Sequence, residues 1–214
     1  MPLITPDSPL YLASSNPGKL REFNTAALAR GTRLEPLPSF KSLPVCIEDG
    51  SSFEENARKK ALHYSAFVSG AVFADDSGIS VDALGGAPGI FSARFAGPGA
   101  TDDENNRKMI EELRRLESAQ EAKSIPTRAA HYVCVIALAQ AGRILCVTEG
   151  RADGVILDEP RGTGGFGYDP YFFYARLERT FAELRPEEKY AVSHRGKAFR
   201  QLLDLIEKPS TRSS

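Results

Sequence analysis

The chain has 214 residues, 42% of them hydrophobic and 26% charged, and a formal net charge of -1. This composition is typical of a globular protein with a substantial core, and we expect a single domain over residues 1–214 with its core at about 10–206. The balanced charge disfavours binding to nucleic acid or to a membrane surface, and no apolar run has the length of a membrane span.

Cysteine usage and the N-terminal segment indicate the compartment. Cys46, Cys134 and Cys146 lack the CxxC spacing of metal and redox sites. Cys134 and Cys146 would not lie opposite each other in their predicted hairpin, so we expect no disulfide between them. The N-terminus, MPLITPDSP, has no basic region followed by an apolar core, which predicts that no signal peptide is present. Reduced thiols and a cytoplasmic location are expected.

The first chemical signal follows a short apolar strand at 10–13. The segment SSNPGK, residues 14–19, places Asn16 as a helix N-cap and Pro17 as the first helical residue, with the helix continuing to about Arg30. The free amides and dipole of such a helix start favour an anion, and Lys19 adds a mobile positive charge. The alternative is a plain strand-to-helix turn with a good cap.

A second helix is predicted after a proline-containing connector. It begins at Ser51 or Ser52 with the capping-box pattern Ser52-x-x-Glu55 and ends at Gly70. Glu48, just ahead of this helix, and Lys60, on it, are each interpreted as solvated surface charges when taken alone. The expected inner face of the helix consists of Phe53, Ala57, Ala61 and Tyr64.

The most informative stretch is AVFADDSG, residues 71–78. Ala71–Ala74 is predicted to be a buried strand, which places Asp75 and Asp76 at its carboxyl end, the edge of an open α/β sheet where ligands bind. Two adjacent carboxylates require a cation or a proton between them. The alternative is that one acid caps a turn and the other is solvated. The glycine-rich loop at 85–89 would allow close approach of the backbone to a ligand.

The second half of the chain predicts a mixed sheet. Thr101-x-x-Glu104 starts a third helix, and residues 131–139 and 144–148 form two strands of a hairpin. The loop GTGGFGYDP, 162–170, offers aromatic rings for stacking on a base, although for Tyr168 a ring that returns to the core is the better interpretation.

The C-terminal segment carries a last helix with core positions at Phe199 and Leu202. Lys189, His194 and Arg195 are interpreted as a basic cluster at the start of this helix. The cluster could hydrogen-bond a phosphate or a base edge, or it could be an ordinary pattern of surface charge, and the residues leave both open. Residues 208–214 are expected to be a disordered tail.

Five segments in this order resemble the Ham1-type nucleoside triphosphate pyrophosphatases. They are ASSNPGK, the pattern E-x-G-x-x-F-x-ENA that begins at Glu48, ADDSG followed by GGAPGIFSARFAG, GTGGFGYDP, and EEK followed by SHRGKA. The resemblance covers about Leu10 to Ile206. It implies hydrolysis of inosine, deoxyinosine and xanthosine triphosphates to monophosphate and pyrophosphate, which removes them from the nucleotide pool. It also implies an α/β fold with a curved mixed β-sheet flanked by helices, two lobes with a central substrate cleft, and a homodimer.

The resemblance further implies roles for individual residues. Asp76 would be the catalytic base, and Glu48 and Asp76 would hold Mg²⁺, with Asp75 as a further candidate ligand; the division of tasks between the two aspartates stays open. The implied substrate-binding residues are Ser14, Ser15, Asn16, Pro17, Gly18, Lys19 and Lys60 at the triphosphate, Ser77, and Phe166, Gly167, Tyr168, Asp169, Lys189, His194 and Arg195 around the nucleoside.

Two other functional hypotheses remain. A pyrophosphatase of related fold could act on other modified or pyrimidine nucleotides and release the same kinds of product. A nucleotide-binding regulatory module that hydrolyses nothing is a different class, and the presence of Glu48, Asp75 and Asp76 together disfavours it. A sequence-specific nucleic-acid binder is disfavoured because the chain has neither a helix-turn-helix pattern nor a basic arm.

Overall fold

The structure is a computed structural model that describes Ile4, residues 9–119 and residues 128–207. The predicted disordered tail at 208–214 therefore lies outside the described residues. The helices are α1 (Pro17–Ala29), α2 (Phe53–Ser65), α3 (Asp102–Ala119), α4 (Pro186–Val192) and α5 (His194–Glu207). The strands are β1 (Leu10–Leu12), β2 (Leu34–Pro36), β3 (Ala71–Val81), β4 (Ala129–Gln140), β5 (Arg143–Ile156), β6 (Phe172–Tyr174) and β7 (Arg179–Thr180).

The strands form one mixed seven-stranded sheet in the order β2-β1-β3-β4-β5-β6-β7. β1 pairs in parallel with β2 and β3, whereas β6 pairs in antiparallel fashion with β5 and β7. β4 and β5 are joined by Ala141 and Gly142, both with positive φ, so these neighbouring strands form the predicted hairpin. The predicted α/β class and mixed sheet are confirmed.

The chain divides into two compact units, neither of which is a continuous segment. Among the described residues, the first unit comprises Ile4, 9–76, 134–150 and 190–207, and the second comprises 77–119, 128–133 and 151–189. The curvature of the sheet, the cleft and the single-domain assignment stay predictions.

The core of the first unit is built around three phenylalanines from separate elements. Phe23 of α1, Phe73 of β3 and Phe199 of α5 are fully buried, and their ring centroids lie 5.1 to 5.4 Å apart. Aromatic pairs at this spacing add about 0.5–1.5 kcal/mol each beyond the burial of their area. The cluster fixes α1 and α5 against the same strand, and these three elements carry Lys19, the two aspartates and Arg195.

Several predicted strand boundaries are wrong. β3 does not end at Ala74 but continues to Val81, so Asp75 and Asp76 lie within the strand rather than at its carboxyl end. β1, however, pairs with β3 only as far as Phe73, so the two acids come just beyond the carboxyl end of β1. β5 likewise continues past Thr148 to Ile156.

The second helix is also shorter than predicted. α2 ends at Ser65, because hydrogen bonds from the amides of Ala66 and Phe67 to carbonyls three residues back tighten its last turn. Gly70 instead begins the approach to β3, where a Cβ would lie 2.7 Å from the Tyr11 ring. Sequence patterns did not predict β2 or α4, which have three and seven residues.

Close packing of β5 on α5 requires a glycine. A Cβ on Gly150 would overlap the His194 carbonyl oxygen and lie 2.6 Å from the Ala198 nitrogen. Beside it, the Thr148 hydroxyl donates to the Ala198 carbonyl over 2.9 Å. This contact holds the first turn of α5, which carries His194 and Arg195, close to β5.

We predict that Gly150→Ala lowers the free energy of unfolding by about 1–3 kcal/mol, because the added methyl forces β5 and α5 apart. The measurement is urea unfolding followed by far-UV circular dichroism. Glu149→Ala is the control, since Glu149 is the exposed neighbour on the same strand and its removal should change stability by less than about 0.5 kcal/mol. Equal stability of the two variants would contradict this packing argument.

Candidate functional site

The SSNPGK segment forms the loop between β1 and α1 with the predicted local chemistry. Asn16 is the N-cap, and its Oδ1 accepts from the Lys19 amide over 3.0 Å. The Ser14 hydroxyl oxygen accepts from the Asn16 amide over 3.2 Å, and Pro17 occupies the first helical position. The prediction of a capped helix start is confirmed. Because α1 is 13 residues long, its N-terminus carries the partial positive charge that favours an anion.

Asp75 is the centre of a buried ion-pair group rather than a solvated acid. Lys19 Nζ lies 2.9 Å from Asp75 Oδ2, and Arg195 Nε lies 3.8 Å from the same oxygen. Lys19 is therefore held by a carboxylate and is not the mobile charge that its sequence context predicted. Burial alone would raise the pKa of Asp75, but the positive charges of Lys19 and Arg195 outweigh it and hold the pKa at about 2.

Arg195 is buried although it is the second residue of a helix. Its guanidinium pairs with Glu22 on α1 as well as with Asp75, and its side chain is 5% exposed. Burial would lower the pKa of Arg195, whereas these two acids raise it overall. Cys134 also contacts this carboxylate, because its thiol lies 3.8 Å from Asp75 Oδ2. All three cysteines have free thiols, Cys134 and Cys146 among them.

Asp76 points away from Asp75, as successive residues of a strand do, and has its own partners. The Asn56 amide donates to Asp76 Oδ2 over 3.0 Å, and Lys60 Nζ lies 3.7 Å from Asp76 Oδ1. Burial raises the pKa of Asp76, and the nearby ammonium groups of Lys60 and Lys19 offset this only in part. The two aspartates thus have different environments, which the sequence alone did not separate.

Glu48 and Lys60 belong to this second group, and their interpretation as isolated surface charges is wrong for Lys60. Lys60 is 8% exposed, and its Nζ lies 2.8 Å from Glu48 Oε2. Burial would lower the pKa of Lys60, but the acids Asp76, Asp75 and Glu48 raise it overall, so the ammonium stays charged. A single cation therefore lies within reach of the two carboxylates Glu48 and Asp76.

Sequence reasoning assigned no role to Asn56, although the signal was present. Asn56 is 1% exposed, and its Oδ1 accepts from the Gly50 amide over 2.8 Å while its amide group donates to Asp76. It thereby links the loop that carries Glu48 to strand β3. In helical spacing Asn56 and Lys60 fall on the same face as Ala57, Ala61 and Tyr64. Two polar residues on the predicted buried face of the helix were therefore the signal of a functional site.

The second unit contains the GTGGFGYDP loop. Asp169 Oδ2 accepts from the Phe166 amide over 2.8 Å and from Lys189 Nζ over 2.5 Å. Lys189 Nζ also lies 5.2 Å from the centroid of the Phe166 ring. The Tyr168 hydroxyl donates to the Ser92 carbonyl over 2.8 Å and Tyr168 is buried, which confirms that this ring returns to the core.

The three basic residues of the C-terminal segment belong to two helices rather than to the start of one. Lys189 lies on α4, in the second unit, whereas His194 and Arg195 are the first residues of α5, in the first unit. All three are at most 5% exposed, so their interpretation as ordinary surface charges is wrong. Ser77 follows Asp76 on β3 and is half-buried.

Metal-binding capacity is restricted to small sets of ligands. Within residues 9–119 and 128–207, no group of three or more His, Cys, Asp or Glu side chains could hold a metal ion. Glu48 and Asp76 nevertheless fit Mg²⁺, because this ion binds through one or two carboxylates and substrate phosphates while it retains water. The Lys60 ammonium is already a cation close to both carboxylates.

Among the described helices, none combines the length and apolar character that crossing a membrane demands.

Comparison with known proteins gives a consistent result. A model of the Ham1 family matches residues 10–205. The chain is 45% identical over 193 residues to the dITP/XTP pyrophosphatase of Desulfotalea psychrophila, covering 90% of this chain and 82% of that protein. It is 46% identical over 201 residues to the protein of the same name from Geobacter sulfurreducens, covering 92% and 96%. The solved structure of a HAM1 protein from Coxiella burnetii has a TM-score of 0.80 at 40% identity, covering 93% of this chain and 98% of that one.

Proposed function

The chain belongs to the Ham1 family, and we propose that it is a pyrophosphatase that hydrolyses ITP, dITP and XTP to the monophosphate and pyrophosphate. The observation that carries this proposal is the separation of the two aspartates. One is locked in ion pairs with Lys19 and Arg195, and the other lies beside Glu48 and Lys60 with a raised pKa. The names of the curated relatives, dITP/XTP pyrophosphatase, support the same conclusion.

The triphosphate would be bound by the loop between β1 and α1. In the proposal the Gly18 amide and the side chains of Ser14 and Lys19 donate to phosphate oxygens, with Lys60 nearby, because Pro17 has no N–H and the Lys19 and Leu20 amides already donate to Asn16. A triphosphate carries about four negative charges, so binding needs donors and cations that are already oriented. The cap of Asn16 on the Lys19 amide and the ion pair of Lys19 with Asp75 provide this orientation before substrate arrives.

Asp76 is the proposed general base, which orients or deprotonates the water that attacks the α-phosphorus. A carboxylate with a raised pKa is a better proton acceptor near neutral pH than one whose pKa is about 2, which favours Asp76 over Asp75. Glu48 and Asp76 would hold Mg²⁺. When bound, this ion would neutralise charge on the phosphates and lower the pKa of coordinated water. Lys60 would supply positive charge beside the same carboxylates.

Selection of the base would act at position 6 of the purine, where hypoxanthine and xanthine present a carbonyl and adenine presents an amino group. In the proposal a buried donor, Arg195 or a backbone amide of the loop at 164–169, pairs with the carbonyl. The same donor would meet the amino group of adenine donor to donor, and mispaired buried polar groups discriminate by about 10⁴–10⁵. Phe166, beside Lys189, is the proposed stacking surface for the base.

Assembly and location are further parts of the proposal. We infer a homodimer in the cytoplasm, which the resemblance to the family and the reduced cysteines support. The net charge of -1 supports a small-molecule substrate rather than nucleic acid as the partner.

We predict that the purified protein with magnesium converts ITP, dITP and XTP to monophosphate and pyrophosphate while ATP and GTP are largely spared. The measurement separates monophosphate, pyrophosphate and free phosphate for each nucleotide, with dUTP included. Free phosphate with a diphosphate would overturn attack at the α-phosphorus. Turnover of dUTP alone would favour the related pyrophosphatases of other substrates, and no turnover at all would favour the regulatory module.

We predict that Asp76→Asn lowers kcat by at least about 10²–10⁴, because the general base is lost. Nucleotide affinity, measured by calorimetry, should stay within about tenfold of the original, since the phosphate-binding loop is intact. Asp82→Asn is the control, because Asp82 is an acid with a 55% exposed side chain directly after the same strand. Loss of affinity and turnover together would instead indicate a purely structural acid.

Two adjacent lysines on α2 allow a matched test of the second carboxylate group. Lys60 is buried beside Glu48 and Asp76, whereas Lys59 pairs with Asp49 at the surface. We predict that Lys60→Met lowers kcat/KM by about 10²-fold, because a cation that faces the reacting phosphates is lost. Lys59→Met should keep kcat/KM within about twofold. Both variants are first shown to be folded by urea unfolding, and equal activities would contradict the role of Lys60.

A further inference from the structure

The loop that carries Phe166 is held by a helix as well as by its own side chains. The Gly167 amide donates to Asp102 Oδ2 over 2.7 Å, and the Gly167 carbonyl accepts from Asn106 Nδ2 over 2.9 Å. Asp102 and Asn106 lie four residues apart on α3, so their side chains share one face of the helix. Both polar groups of one loop residue are therefore bound from a single helix face.

The backbone conformation of Gly167 allows these two hydrogen bonds, together called the grip on Gly167 below. Its φ of 63° lies in the left-handed region, which glycine adopts without strain. On either side of it the loop is already held, because Asp169 accepts from the Phe166 amide and the Tyr168 hydroxyl donates to Ser92. With Gly167 fixed as well, the backbone at 166–169 has one arrangement, and this arrangement sets the direction in which the Phe166 ring leaves the loop.

Stability alone does not explain Asn106. The side chain is 4% exposed, and its Oδ1 has no hydrogen-bond partner among the residues that the structure describes. A buried acceptor without a partner lowers stability, so the Oδ1 atom itself contributes nothing favourable to the fold. What the amide group supplies is the donor to the Gly167 carbonyl, since a carbonyl can only accept.

We propose that Asp102 and Asn106 are positioning residues for nucleotide binding, which hold Gly167 so that the Phe166 ring meets the base. This inference rests on the proposed function, because Phe166 is assigned to the base there. Neither residue touches the substrate, and both act through the loop. The base is held in the same way before and during the reaction, so loss of the grip raises KM more than it lowers kcat.

The first test compares adjacent acids in the first turn of α3. Asp102→Ala should raise KM for ITP about tenfold, the usual loss for one hydrogen bond to a charged group, with kcat within about twofold. Asp103→Ala removes an exposed acid from the same turn, with the same effect on the helix dipole, and should leave KM unchanged. Equal KM values for the two variants would show that Asp102 acts only at the start of the helix, and they would overturn the proposal.

The second test separates positioning from stability. Asn106→Leu removes the unpartnered acceptor, which favours stability, and the donor to the half-buried Gly167 carbonyl, which opposes it, so the melting temperature should change little while KM rises about tenfold. Asp102→Asn keeps an acceptor oxygen for the Gly167 amide, and its KM should lie between those of the original protein and Asp102→Ala. An unchanged KM in Asn106→Leu would overturn the proposal whatever its stability.

A third readout needs no hydrolysis. The chain contains no tryptophan, so Phe166→Trp introduces a single fluorophore at the loop. In this background, without nucleotide, Asp102→Ala and Asn106→Leu should increase the rate of acrylamide quenching, and Asp103→Ala should not. If the original protein hydrolyses no nucleotide but quenching responds in this way, the proposed function fails while the grip on Gly167 stands. If neither variant changes quenching, the positioning role is overturned.

Discussion

The burial of two adjacent carboxylates within one strand is the constraint on which the first unit depends. Asp75 and Asp76 are 2% and 8% exposed, and removal of a charged carboxylate from water costs several kcal/mol unless cations and donors compensate. Because the two side chains point to opposite faces of β3, their ion pairs and hydrogen bonds are made by different side chains, although Lys19 and Lys60 each act on both carboxylates over longer distances. The surrounding helices must therefore bring a separate set of positive and hydrogen-bonding groups to each face.

Three helices meet this requirement. The first turn of α1 delivers Lys19 and the first turn of α5 delivers Arg195 to Asp75, while α2 brings Asn56 and Lys60 to Asp76. The core phenylalanines of α1 and α5 hold two of these helices against β3, and Gly150 permits the close approach of α5 to β5. Packing of the apolar core and pairing of the buried charges thus specify the same arrangement, which is the consistency expected of a well-defined fold.

Features that neighbouring residues decide could be predicted from the sequence, whereas features that depend on distant residues could not. The Asn16 cap, the start of α3 and the hairpin turn were predictable because neighbouring residues decide them. The continuation of β3 through two acids and the burial of Lys60 and Arg195 were not, since a pattern of polarity assigns charges to the surface. The partners of these charges lie far away in the chain, as Glu22 does for Arg195, and no local window contains them. Resemblance to a family assigned residues to the site without giving these pairings.

The charges of the first unit support the proposal that the reaction uses an added cation. Glu22, Glu48, Asp75 and Asp76 contribute four negative charges to the two ion-pair groups, and Lys19, Lys60 and Arg195 contribute three positive ones. The balance of these groups is 3 - 4 = -1, and a triphosphate would add about four more negative charges. The protein's own cations are already paired with its acids, so in the proposal they neutralise only part of the charge of the substrate. A divalent ion at Glu48 and Asp76 would supply the missing charge where the phosphates arrive. In the proposal, the buried acids that require cations for folding would therefore also favour a substrate that arrives with a bound metal ion.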